Sequence, residues 1–137
     1  MNIESNIKMN DSSKYVSVLY VDDEQINLEL FKIVFRSLFK VFIADSAETG
    51  LEMLKQNPGI RIVVSDMKMP GMNGIEFIKE ARKEFKNIIY YILTGYEITD
   101  EIKNAIEDKL INKYFKKPFD KTELLDELKI ASALINE

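Results

Sequence analysis

The chain contains no cysteine and no histidine. The first absence excludes thiol nucleophiles, disulfides and thiolate metal sites. The second removes the commonest general base, the Ser-His and Cys-His catalytic systems, and imidazole-ligated metals. No apolar run reaches the length of a membrane span, and the opening MNIESNIKMNDSSK lacks the apolar stretch of a signal peptide. A cytoplasmic location is therefore expected. Neither G-x-x-x-x-G-K-[ST] nor G-x-G-x-x-G occurs, which argues against nucleotide enzymes built on those loops. Basic charge is not in excess: 19 Lys and Arg against 23 Asp and Glu leave a net charge of −4. That is a poor basis for non-specific nucleic-acid binding, which neutralises phosphates with basic groups. Any chemistry must run on carboxylates, lysines, hydroxyls and backbone groups. Such a donor set suits hard cations, Mg²⁺ among them.

What is present is enough for one folded domain: 137 residues, 46% hydrophobic and 31% charged. Residues 1–13 are polar and aperiodic, and read as a flexible N-terminal extension to a domain over 14–137. Short β-branched and aromatic runs then alternate with helical spacings. Tyr15–Val21, Val41–Ala44, Ile60–Ser65, Asn87–Leu93 and Asn112–Phe115 read as strands. Between and after them, helices are expected from Leu28, Phe31, Phe35 and Leu38; from Ala47, Leu51 and Leu54; from Phe77, Ile78, Ala81 and Phe85; from Ile98, Ile102, Ala105 and Ile106; and from Leu124, Leu128, Ala131 and Ile135. Ser46 is placed to cap the second, and Asp120 or Thr122 to start the fifth. Five strands alternating with five helices predict an α/β fold, a doubly wound parallel sheet with helices on both faces.

Ligands of open parallel sheets bind beyond the carboxyl ends of the strands. The first strand runs into Asp22-Asp23-Glu24, the third into Asp66, the fourth ends Leu93-Thr94-Gly95, and the fifth runs into Lys116-Lys117-Pro118. Singly, each has a commoner structural explanation: helix-capping acids, a turn, a solvated lysine pair. Together they bring three carboxylates, a hydroxyl and an ammonium to one edge. Clustered carboxylates repel one another unless a cation joins them, and a divalent ion resolves that conflict. A cation, a lysine and a hydroxyl around a carboxylate suit an incoming phosphoryl group, with the carboxylate as nucleophile. Asp66, on the central strand, is the expected nucleophile.

These motifs, VLYVDDE, SDMKMPGMNG, ILTGY and YFKKPF in that order, resemble those of receiver domains of two-component response regulators, of the flavodoxin-like CheY superfamily. The resemblance covers roughly Lys14 to Ile135. It implies that Asp66 is phosphorylated and that Asp22 and Asp23 form the acid pair for Mg²⁺, with Asp23 a direct ligand and Asp22 acting through water. It further implies that Asp66 and the Lys68 carbonyl complete the protein's share of the metal shell. Thr94 is then the hydroxyl that closes on the phosphoryl group, Lys117 the lysine that pairs with it, Tyr114 the aromatic switch, and the Lys117–Pro118 peptide bond is expected to be cis. Lys68 and Tyr96, two residues beyond Asp66 and Thr94, are expected to overhang the phosphoryl group and slow its hydrolysis.

The implied function is a signalling phosphoacceptor in a phosphorelay. A histidine kinase or histidine phosphotransfer protein donates to Asp66, and a switched surface is read by a downstream target or output domain. The donor histidine must lie on another molecule. Two other classes stay open. One is a haloacid-dehalogenase-type phosphohydrolase, which carries a second Asp where this chain has Lys68. The other is a degenerate receiver that only binds proteins, against which the full set of Asp22, Asp23, Asp66, Thr94 and Lys117 argues. The sequence stops at Glu137 without an output domain, as either a stand-alone receiver or a piece of a longer regulator. Charges on the last two helices are mixed, so the partner, or a homodimer formed on activation, is left open.

Overall fold

In the computed structural model the described residues are 16–95 and 97–135. The expected extension over 1–13, the domain start at Lys14 and the side chain of Tyr96 lie outside them. The described chain alternates strictly: β1 (Ser17–Val21), α1 (Gln25–Phe35), β2 (Lys40–Ala44), α2 (Ala47–Gln56), β3 (Ile60–Asp66), α3 (Gly74–Glu84), β4 (Ile89–Thr94), α4 (Asp100–Glu107), β5 (Lys113–Lys116) and α5 (Lys121–Ile135). Every strand pair is parallel and the order is β2-β1-β3-β4-β5. This is the doubly wound flavodoxin-like arrangement, and its strand order reverses between β1 and β3.

The central strands are apolar on both faces because helices cover both. Leu19, Val21, Val63, Tyr90 and Ile92 pack in one layer with Ala47 and Leu54 of α2, Ile75, Phe77 and Ile78 of α3, and Ile102 of α4. Val18, Tyr20, Ile62, Val64, Tyr91 and Leu93 pack in the other with Leu28, Phe31 and Phe35 of α1 and Leu124, Leu128 and Ala131 of α5. Neighbouring residues on one strand thus serve opposite layers, as the period of two requires. A slip of one residue would exchange the two sets, so the register that aligns the strand ends is firmly fixed.

Local signals set the helix starts. The Ser46 hydroxyl accepts from the Thr49 amide at 3.0 Å, and Asp120 Oδ1 accepts from the Glu123 amide at 3.0 Å. Asn73 and Glu76 form a reciprocal capping box at α3. Leu38 departs from expectation. The helix closes at Phe35, whose carbonyl accepts from both Leu38 N and Phe39 N, and the chain turns directly into β2. Phe39 is buried in consequence, and Leu38 packs only partly against the core. The Lys117–Pro118 bond is cis.

Candidate functional site

The register of β1, β3, β4 and β5 brings the predicted residues to one edge of the sheet. Val21 lies beside Ser65, Asp66 beside Leu93, and Thr94 beside Lys116. Asp66 is the last residue of β3, one further along the strand than the sequence suggests. A buried central strand thus holds the carboxylate with little freedom to turn. The loop that follows is shaped around it. Gly74 N donates to the Met67 carbonyl at 2.7 Å. A Cβ at Gly74 would sit 2.3 Å from the Asp66 carbonyl oxygen, so only glycine lets α3 start this close to the acid. Gly71 turns the loop at a φ of +78°, a conformation favourable to glycine. Met69 is buried, and Met67 and Met72 pack partly against the same core, so these three methionines serve as hydrophobes.

Three carboxylates meet here. One oxygen from each of Asp22, Asp23 and Asp66 can be chosen so that all lie within 4.8 Å of one another. Asp22 is fully buried, Asp66 is 6% exposed, and Asp23 faces solvent. The all-oxygen donor set, crowded and short of positive charge, fits a hard divalent cation such as Mg²⁺. An open cleft of about 610 Å³ lies over these groups, lined by Asp23, Glu24, Asp66, Lys68, Met69, Pro70, Gly95 and Lys117.

Lys117 brings positive charge to two of these carboxylates. Its Nζ lies 2.9 Å from Asp22 Oδ2 and 3.1 Å from Asp66 Oδ1, with 21% of the side chain exposed. The Lys117 amide donates to the Thr94 carbonyl at 2.8 Å, which ties the lysine's backbone to the end of β4. Burial alone would lower the lysine's pKa, but its hydrogen bonds and charge contacts with Asp22 and Asp66 outweigh that and raise it. Even with this ammonium beside it, Asp66 is pushed up from 3.8 to about 6, by burial first and then by the charge of Asp22. The nucleophile candidate is thus a carboxylate held in an environment that disfavours its own charge.

The remaining predicted residues fall around this centre. Thr94 is buried at the end of β4. Tyr114 is half-buried on β5, beside Ile92, and packs against the layer that contains α3 and α4. Lys68 is exposed at the cleft's rim. Tyr96 is outside the described residues.

One participant was not anticipated. Tyr20, read in the sequence only as part of an apolar strand, is buried and donates its hydroxyl to Asp22 Oδ2 at 2.5 Å. The available signal was its position two residues before Asp22, on the same face of β1. Burial, then the hydrogen bond to Asp22, pushes the phenol's pKa up, so it remains protonated and a donor.

The arrangement has counterparts. The family model described as response regulator receiver domain matches residues 18–129. Sporulation initiation phosphotransferase F of Bacillus subtilis is 33% identical over 114 residues, covering 82% of this chain and 90% of that protein. The hydrogenase transcriptional regulatory protein HoxA of Cupriavidus necator is 29% identical over 120 residues, covering 88% of this chain but 25% of that protein. The chain therefore spans about a quarter of the HoxA relatives it matches. A crystal structure of a response regulator receiver domain protein from Clostridium thermocellum superposes with a TM-score of 0.80 at 27% identity, covering 89% of this chain and 98% of that one.

Proposed function

Because the chain belongs to the response regulator receiver domain family, we propose that Asp66 is the phosphoacceptor and that its phosphorylation switches a partner-binding surface. The donor is the phosphohistidine of a histidine kinase or phosphotransfer protein, or a small acyl phosphate. An Asp66 carboxylate oxygen attacks phosphorus. A P–O bond forms as the P–N bond of the phosphohistidine breaks, and the electron pair returns to the donor's imidazole. The chain has no histidine of its own, so the donor is a separate group.

The observation that carries this reading is the meeting of Asp22, Asp23, Asp66 and Lys117 at the point where the strand order reverses. Asp22, Asp23, Asp66 and the Lys68 carbonyl are the groups assigned to hold Mg²⁺, which when bound neutralises phosphoryl oxygens. Lys117 already contacts Asp66 and is within reach of an added phosphoryl oxygen. Thr94 closes on that group by donating its hydroxyl, and the space it leaves lets Tyr114 turn inward. The surface of α4, β5 and α5 then presents a different face to a target. Phosphorylation shifts the population only through contacts that differ between the two states. Reversing a 1:99 preference requires about 5.5 kcal/mol of such difference. Lys68, at the cleft's rim, obstructs the water that would hydrolyse the acyl phosphate.

Incubation with acetyl phosphate and Mg²⁺, followed by intact-mass analysis, tests the reading. One added phosphoryl group per chain is expected, absent without Mg²⁺ and absent from Asp66→Asn. Equal phosphorylation of Asp66→Asn would refute the assignment. Many turnovers of a phosphate ester would favour a phosphohydrolase, and inability to bind Mg²⁺ or take up phosphate a pure binding module.

A further inference from the structure

Asp22 has no exposure to water, and protein donors hold it from both ends. Its Oδ1 accepts from the Glu24 amide at 3.0 Å, while its Oδ2 accepts from the Tyr20 hydroxyl at 2.5 Å and from Lys117 Nζ at 2.9 Å. A carboxylate offers about four acceptor sites. Three are filled here, two on Oδ2 and one on Oδ1.

Lys117 is shared between Asp22 and Asp66. Phosphorylation of Asp66 adds a dianion to the lysine's second partner and draws the ammonium toward the phosphoryl oxygens. Asp22 Oδ2 then loses the ammonium while buried, and a buried carboxylate oxygen left without a donor is costly. The Glu24 amide stays on Oδ1, and the Tyr20 hydroxyl is the donor that stays on Oδ2, the oxygen the lysine leaves. Its ring is stacked on Phe31 at 4.3 Å and 11°, so the core of the α1/α5 layer fixes its position independently of the cleft.

We propose that Tyr20 is a positioning residue that frees Lys117 for the phosphoryl group, by keeping Asp22 Oδ2 hydrogen-bonded when the lysine leaves it. The inference rests on the phosphoacceptor reading of Asp66. Without the hydroxyl, Asp22 depends more heavily on Lys117, and the ammonium is less available where charge develops. Tyr20 contacts neither the phosphoryl group nor the metal, so its effect passes through Asp22 and Lys117.

The test is Tyr20→Phe, which keeps the ring and its stack on Phe31. Mg²⁺ affinity, measured by calorimetry with the metal alone, is expected to stay within about threefold of wild type. The rate of phosphorylation by acetyl phosphate at saturating Mg²⁺ is expected to fall roughly tenfold, the effect of losing one hydrogen bond to a charged group. In a Lys117→Ala background the same substitution should change the rate little, because the lysine it frees is gone. Wild-type phosphorylation kinetics in Tyr20→Phe would overturn the inference. So would an equal loss of Mg²⁺ affinity, or an undiminished effect in the Lys117→Ala background. Wild-type protein that takes up no phosphate would instead refute the underlying reading of Asp66, an outcome distinct from all three.

Discussion

Replacing Asp66 by Asn should stabilise the metal-free protein at neutral pH, and the size of the effect follows from the site. The carboxyl group titrates at 3.8 in an ordinary environment and at about 6 here, because burial and the charge of Asp22 outweigh the help from Lys117. Between those two values the native state holds a proton that the unfolded chain has released. Stability from this group is therefore full below about pH 4 and is lost as pH rises through about 6. At pH 7.5 the native state carries an ionised Asp66 at the full cost. Two pKa units and a fraction correspond to about 3 kcal/mol, and water in the open cleft reduces this to between about 2 and 3 kcal/mol. The assay is urea unfolding of both proteins in EDTA from pH 5 to 8. All other titrating groups are common to the pair, so the difference isolates Asp66. The variant's advantage should grow from pH 5 to about 6.5 and then level off. Mg²⁺ added at pH 7.5 should shrink it by stabilising wild type. An advantage that shrinks as pH rises, or a variant less stable at pH 8, would refute the reasoning.

Other substitutions test the parts around the acid. Gly74→Ala forces a Cβ to within 2.3 Å of the Asp66 carbonyl and 2.8 Å of Ile92 Cδ1; it should cost about 1–3 kcal/mol or more in urea unfolding and impair phosphorylation. Gly59→Ala meets nothing within 4 Å and should leave stability unchanged or raise it by about 0.4–1 kcal/mol in the same assay. Ser46→Ala removes the cap of α2 and should cost about 1 kcal/mol without altering phosphorylation kinetics. Lys68→Ala should lose phosphate faster than wild type in a dephosphorylation time course, and an unchanged rate would remove Lys68 from the account.

The sequence makes the sheet legible because its central strands are buried on both faces, and the apolar run within Asn87–Leu93, which becomes β4 from Ile89, announces that burial without help from context. The strand ends are legible only as a set: an acid that closes an apolar run, as Asp66 does, is singly most often a turn residue, and acids, hydroxyl and lysine at four strand ends together point to a site. Boundaries are less clear. Leu38 continues the helical spacing of α1, yet the chain has already turned at Phe35; spacing registers which side chains are apolar and not where hydrogen bonding stops. The capping box at α3 could have been read from Asn73 and Glu76 three residues apart. Contacts between distant segments could not be read in this way. The Lys117–Asp22 pair spans 95 residues and exists only because β1 and β5 end on the same edge. Tyr91 likewise meets Glu127 and Asn112 through its hydroxyl, a polar network within an apolar strand that periodicity cannot show. Tyr20 belongs with these, an aromatic that composition assigns to the core and geometry assigns to the site.

The central claim is that the phosphoryl group is carried by Asp66 and by no other acid of the cluster. An acyl phosphate is reduced by borohydride, which converts the aspartate that bears it to homoserine. Treating the acetyl phosphate-loaded protein with borohydride and sequencing its peptides by mass spectrometry identifies that residue directly. Homoserine is predicted at position 66 alone, and only when Mg²⁺ was present. Homoserine at position 22 or 23, or none anywhere in phosphorylated protein, would contradict the account.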